Sequence, residues 1–479
     1  MNTSGYHNTT PGSYAMNHLS AIALGLLIAG LIAPACSAAE GFAIRPSDPP
    51  DMSATVRGEV SLPDGTRAVV PETVLRFEAP ETTERTLVEK APGSHASWWE
   101  PWQPWPKQGK PLALKPRSDE NGTPILGGLF RQIDPGSVVV TTPDGARTFE
   151  RDRDYVFNDD WGQVGNLDDR LGTPGEADVK ATCTIAYQRL DLIQVGPGGT
   201  VNVKKGKSRV VCPALPEPDR NCAAVAGVYV APWKREGRYV VTREDIFPID
   251  PAPPVAPINP AAVAGTLARL RSGQEARIAF MGASITLGAE AGQWWDNLWT
   301  EKNLGYPSRV VVELRRRFPD ATVTPVGAFQ GGTQTKYGLE QMEKTVIPAK
   351  PNLVLIAFGG NDVAGPVGRP PNNPPEQFKK DIQAMVGRAK EAGMEVMLVV
   401  TMQQNPWHPN GVVERWPAYR QVLIDVANEE GVGCADVYTE WVNQATRGVP
   451  PWSQLHNWIN HPGIAGHKLY ADVILRFFE

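Results

Sequence analysis

No part of this 479-residue chain is densely basic, and its net charge of −5 is spread with both signs interspersed. That pattern argues against nucleic acid as a partner and favours a neutral or mildly charged substrate. Neither a CxxC pair nor an HExxH motif occurs, so no metal-ligand spacing is present. Beyond the first forty residues no apolar run approaches the roughly 20 residues that a membrane span needs. Cysteine is scarce: past the N-terminal segment there are only Cys183, Cys212, Cys222 and Cys434. Cys212 and Cys222 flank the turn-rich stretch 213–221 and are the favoured pair if the chain meets an oxidising compartment. Apolar residues make up 41% of the chain, which excludes global disorder and allows ordinary packed cores.

Residues 1–39 read as a signal peptide. Ala21 to Ile32 is apolar, broken only by glycines, and Cys36-Ser37-Ala38-Ala39 supplies small residues for cleavage near Ala38 or Ala39. The segment before the run carries no Lys or Arg. A membrane anchor is the alternative, but the run is short for one. A lipid-modified Cys36 is another, against which Pro34 counts. The expected location is secreted or periplasmic.

Two textures follow. Residues 40–249 show short alternating runs punctuated by turns, among them Ser137–Thr142, Thr182–Gln188, Thr200–Val203 and Gly237–Thr242, with turn signals at Asp64-Gly65 and Gly198-Gly199. Such spacing predicts an all-β, sandwich-like domain. Within it, four tryptophans lie between Trp98 and Trp105, with prolines between them. They suit either stacking on sugar rings or packing at a core edge or domain seam. Residues 250–260 are proline-rich and read as a linker. From 261 to 479 apolar strands alternate with amphipathic helices. Strands are expected at Arg277–Met281, Thr322–Val326, Asn352–Phe358, Glu395–Thr401 and Gly433–Val437. Helices are expected at Ala261–Arg271, Ser308–Phe318, Pro375–Glu391, Val412–Glu430 and Gly463–Phe478. That alternation predicts βαβ units, a parallel sheet and helices on both of its faces.

In open α/β sheets, sites form beyond the carboxyl ends of the strands. The segments that follow the strands are Gly282-Ala283-Ser284-Ile285-Thr286, Gln330-Gly331-Gly332-Thr333 and Gly359-Gly360-Asn361-Asp362, and Asn460-His461-Pro462 precedes the last helix. A hydroxyl, a carboxamide and an imidazole thus converge on one rim. These groups suit acyl transfer: Ser284 as nucleophile, His461 as its base, and the backbone N–H groups of Ser284 and Gly332 with the Asn361 amide as an oxyanion hole. Asp362 reads as a brace for its loop and His467 as structural. Trp407, His408 and Trp294 are candidates to line the substrate pocket, or else to pack loops and core.

The same four segments, in this order, resemble the motif blocks of the SGNH/GDSL hydrolase superfamily over about residues 275–479. Ala283 stands where the family often has Asp, and Gly331 is an alternative to Gly332 as the oxyanion glycine. The resemblance implies a three-layer αβα, flavodoxin-like fold and a serine esterase that needs no cofactor or metal. One position departs from the pattern. Three residues before His461, where the family carries an orienting Asp, stands Trp458. Asn457, Asn460, His456, the more distant Asp436 or a backbone carbonyl are the substitutes open to His461. The expected activity is hydrolysis of acyl esters, acetyl groups on carbohydrate above all. The alternatives are a lipase- or phospholipase-like acylhydrolase, or a glycan-binding module whose esterase domain has lapsed.

Overall fold

A computed structural model describes residues 41–94, 110–292, 295–365, 369–408 and 412–479. The signal-peptide segment, the tryptophan-rich stretch and Trp294 lie outside the described residues.

The C-terminal half is built on five parallel strands: β1 (Ala276–Gly282), β2 (Val323–Phe329), β3 (Leu353–Ala357), β4 (Glu395–Val400) and β5 (Gly433–Asp436). Their order across the sheet is β2-β1-β3-β4-β5, the flavodoxin-like arrangement that the sequence predicts. Side chains alternate between the faces, as strand geometry requires. On β1, Ile278 and Phe280 enter a core shared with α1 (Ala264–Arg271), α3 (Tyr306–Arg317), α7 (Val437–Val442) and α8 (Ile464–Leu475). Ala279 and Met281 face the opposite core, filled from α5 (Pro375–Glu391) and α6 (Val412–Glu430). Both faces are therefore dry, which explains why these strands read as continuous apolar runs. The long helices fall within a few residues of their expected bounds, and α3 starts earlier because Pro307 sits in its first turn. The short helices α2 (Ser284–Leu287), α4 (Thr335–Gln341) and α7 are too brief to leave a periodic signature.

The N-terminal half is antiparallel. A three-stranded sheet (Ala43–Pro46, Ser53–Ser61, Arg67–Arg76) shares one core with a four-stranded sheet containing Arg189–Val195 and Ala223–Val230. A second four-stranded sheet, with Thr82–Lys90 beside Asp178–Ala186, and a small sheet around Gln163–Asn166 enclose another core, rich in aromatic residues. The expected strand at Gly237–Thr242 does not form. Arg235 and Arg238 close a tight turn there through a single bridge, leaving too little chain to pair. Nor do Cys212 and Cys222 pair, for both thiols are free. Cys212 donates toward the Gln454 carbonyl, whereas Cys222 lies beside Gly196.

The aromatic core crosses from one half to the other. It includes Phe130 and Trp161 from the β region together with Trp458 and Ile459, which belong to the loop before α8. The proline-rich segment 250–260 is also tied down. Ile258 pairs with Cys434 at the edge of β5, and the Val255 N–H donates to Glu440. Among the described residues no helix is long and apolar enough to cross a membrane.

Candidate active site

Ser284 is the first residue of α2, directly beyond the carboxyl end of β1. The turn is possible because residue 282 is glycine. A Cβ there would lie 2.0 Å from the Thr286 hydroxyl oxygen and 2.8 Å from the Ala357 carbonyl oxygen. Across the rim, His461 Nε2 is 2.7 Å from Ser284 Oγ, so the two predicted residues, 177 positions apart in sequence, do meet. Gly331 adjoins this pair: a Cβ on it would stand 3.9 Å from Ser284 Cβ. Gly332 takes a left-handed backbone (φ 75°) in open space. Asn361, partly buried beyond β3, donates one amide hydrogen to the Thr333 carbonyl at 2.9 Å. Its amide carries a second hydrogen.

Asp362 is fully buried. It accepts from the Thr335 hydroxyl (2.8 Å), the backbone N–H groups of Thr335 and Gly359 (3.1 Å each) and the Asn373 amide (3.1 Å). It therefore ties the asparagine loop to α4. Burial raises its carboxyl above the ordinary range, although these donors pull the other way. His467 accepts from the Tyr306 N–H at Nδ1 (3.3 Å), and its Nε2–H donates to the Ala289 carbonyl (3.0 Å). Burial pushes it down to about 3, which keeps it neutral as a fastener for the loop after α2. Trp407 is stacked on Phe130, with centroids 5.2 Å apart, and His408 packs edge-on against Trp161. Both thus lie against the β region, with Trp407 still partly exposed.

The surroundings of His461 Nδ1 answer the question that Trp458 raises. Trp458 adopts a left-handed backbone (φ 61°), an outlier for a bulky residue. That twist sends its ring, fully buried, into the aromatic core beside Phe130, away from the imidazole. Of the substitutes, Asp436 caps α7 and is held by Arg420, and Asn460 accepts from the Asn457 amide at 3.0 Å. Asn457 does reach the imidazole: its Nδ2 is 2.9 Å from Nδ1. Its Oδ1, meanwhile, takes the backbone N–H groups of Ile459, Asn460 and His461. Three donors on Oδ1 fix the amide orientation, so Asn457 presents a donor to Nδ1, not an acceptor.

The nearby carboxylate is one that sequence reasoning missed. Glu290, in the loop after α2, has no exposed side-chain surface, and its Oε1 is 3.9 Å from His461 Nδ1. The other oxygen bonds His456 Nδ1, and His456 Nε2 lies 3.3 Å from Asp119 of the β region. Burial disfavours a charge on His456, but the two carboxylates outweigh it and lift the imidazole to about 9. His456 is thus a cation bridging two anions at neutral pH. For His461, burial lowers the pKa below its ordinary value, and the Glu290 charge opposes this in part. It is therefore neutral near pH 7 and able to accept a proton. The one signal for Glu290 in sequence is an acid among small residues, Gly288-Ala289-Glu290-Ala291-Gly292, close behind the nucleophile.

A parallel αβα sheet with serine, glycine, asparagine and histidine at the carboxyl ends of its strands defines a hydrolase of the SGNH type. Residues 280–469 match the GDSL-like Lipase/Acylhydrolase family, so the chain carries an acylhydrolase domain and its enzyme class is carboxylic ester hydrolase. No curated protein matches the chain. Among solved structures, an alpha/beta hydrolase enzyme from the metagenome of Lake Arreo is 22% identical, with 42% of this chain and 94% of that one covered and a TM-score of 0.36. An acetylxylan esterase from Geobacillus stearothermophilus is 20% identical over the same shares, with a TM-score of 0.36. A two-domain esterase active on acetylated mannans is 23% identical, covering 45% of this chain and 52% of its own, with a TM-score of 0.35.

Proposed function

We propose that the protein is an exported serine esterase that removes acetyl groups from carbohydrate. The observation that carries the mechanism is the 2.7 Å contact between Ser284 Oγ and His461 Nε2, within the 2.6–3.2 Å reach that general-base activation requires. Ser284 attacks the ester carbonyl while His461 takes its proton. The oxyanion is held by the second Asn361 amide hydrogen and by the backbone N–H groups of Ser284 and Gly332, with Gly331 as the neighbouring alternative. The imidazolium then protonates the departing alcohol. Water, activated by the same imidazole, releases the acid from Ser284. Every proton is moved by His461, so no step calls for a metal or cofactor.

Export is supported by the leader-like segment 1–39. The carbohydrate preference is supported by the β region ahead of the hydrolase and by the tryptophans at 98–105, which suit sugar stacking. The test compares wild type with Ser284→Ala on a chromogenic acetate ester, on acetylated xylan and mannan, and on long-chain esters. Turnover lost in the variant, with acetyl preferred over long acyl chains, is the expected result. Preference for long chains would replace this reading with a lipase. A folded wild type that binds glycan without turning over any ester would replace it with a binding module.

A further inference from the structure

Glu290 is the strongest unexplained group in the molecule. Its carboxylate is wholly buried, and Oε1 has no hydrogen-bond partner among the described residues. An unpaired oxygen on a buried carboxylate is costly and demands a reason. Its backbone also sits in the left-handed region (φ 68°), a strain that persists where surroundings over-determine it and that clusters at functional sites. The loop is closed by the Ala289 N–H on the Ser284 carbonyl (3.0 Å) and by His467 on the Ala289 carbonyl (3.0 Å). These bonds hold the free oxygen beside the imidazole.

We propose that Glu290 is the acid that orients His461, and that the β region positions it by means of Asp119 and His456. This rests on the Ser284–His461 reading above. Nε2 can take the Ser284 proton only in the tautomer whose one hydrogen already sits on Nδ1, and that Nδ1–H must find an acceptor before and during the transfer. Asn457 offers only N–H, and two donors 2.9 Å apart repel. The Glu290 Oε1, at 3.9 Å, needs an approach of about 1 Å to reach normal hydrogen-bond distance. In the Nε2–H tautomer Nδ1 is bare, Asn457 is its matched partner and Nε2 cannot take the Ser284 proton; in the Nδ1–H tautomer Glu290 is the matched partner and Nε2 is free to act as the base. No proton passes to Glu290, whose carboxylate accepts the Nδ1–H and stabilises the imidazolium. The positively charged His456 pins the other oxygen, so Oε1 is left for Nδ1. Glu290 thus does the work of the acid that Trp458 displaces, from a different part of the chain.

The experiment is the kinetics of wild type, Ser284→Ala, Glu290→Gln and Glu290→Asp on an acetate ester from pH 4 to 9. Glu290→Gln keeps the shape and removes the charge. Expected is a fall in kcat of about 10²–10⁴-fold with KM little changed. The acid limb of kcat/KM should also shift to lower pH, since the nearby anion raises the His461 pKa. Glu290→Asp should recover part of the loss. A Glu290→Gln enzyme within about threefold of wild type, or one slowed with its acid limb unmoved, would overturn the proposal while leaving Ser284 and His461 in place. Ser284→Ala as active as wild type would instead overturn the underlying site. Should Glu290→Gln not fold, a crystal structure of wild type with a phosphonate on Ser284 decides. In it, Nδ1 within 3.2 Å of Glu290 Oε1 supports the assignment, and Nδ1 still facing only Asn457 refutes it.

Discussion

Raising the pH from 6.5 to 9 should weaken the fold through His456. In the folded chain this imidazole is held near 9 by Asp119 and Glu290, whereas in the unfolded chain it titrates near 6.5. A group whose folded value is raised stabilises fully below the unfolded value and loses that contribution as pH climbs through the folded one. At 1.36 kcal/mol per tenfold change in proton affinity, the rise from 6.5 to about 9 corresponds to about 3 kcal/mol. Other groups face the cluster. Burial pushes Lys115 down to about 8, so it works in the opposite sense from there upward. Burial raises the Cys212 thiol, which adds a loss only above about pH 8.5. His467 and His461, both depressed by burial, recover stability as the unfolded imidazoles lose their protons near 6.5, so they oppose the loss only at the low end of the window. The discriminating comparison is therefore with Asp119→Asn. That variant keeps an oxygen for the N–H groups of Asn121 and Thr123 but removes one anion from His456. Denaturant midpoints at pH 6, 7, 8 and 9 should show wild type losing stability across the window. The variant should lose less, and lose it at lower pH, so the two curves converge toward pH 9. Parallel curves throughout would refute the bridging role of His456.

Three further outcomes are expected. Asn361→Ala should lower kcat by about 10²–10³-fold with a smaller effect on KM, read from steady-state kinetics. Trp458→Ala, which empties a fully buried site between the two halves, should cost about 3–5 kcal/mol in denaturant unfolding. Because burial depresses His461, the acid limb of wild-type kcat/KM should have its midpoint below about 6.5, the ordinary histidine value; a midpoint well above that would contradict the buried, neutral base.

The C-terminal fold was legible because both faces of its sheet are dry, so each strand announces itself as an apolar run between amphipathic helices. The meeting of Ser284 and His461 was legible for a related reason: strand ends share one rim, and topology alone brings their loops together. The orienting acid was not. Glu290 becomes recognisable only once a left-handed turn folds it under Ser284 and a distant imidazole takes one of its oxygens, and no local pattern encodes either event. The β region was read as a class but not in its detailed pairing. Its strands are bridged by turns and long connections, so hydrophobic alternation gives their faces but not their partners. The Cys212–Cys222 expectation failed for the same reason: closeness in sequence says little when each residue packs against a different neighbour.

The indole at 458 also bears on how such an enzyme can be cut or recombined. Its socket is made in part by Phe130 and Trp161, which precede it in the chain by some three hundred positions. A fragment beginning at the first helix of the αβα layer would carry a large ring with nothing to receive it, on the very loop that bears the imidazole. Swapping the N-terminal half for another binding module would open the same hole. Any working chimera would have to bring a replacement socket along with the new module, so the halves are expected to travel as a pair.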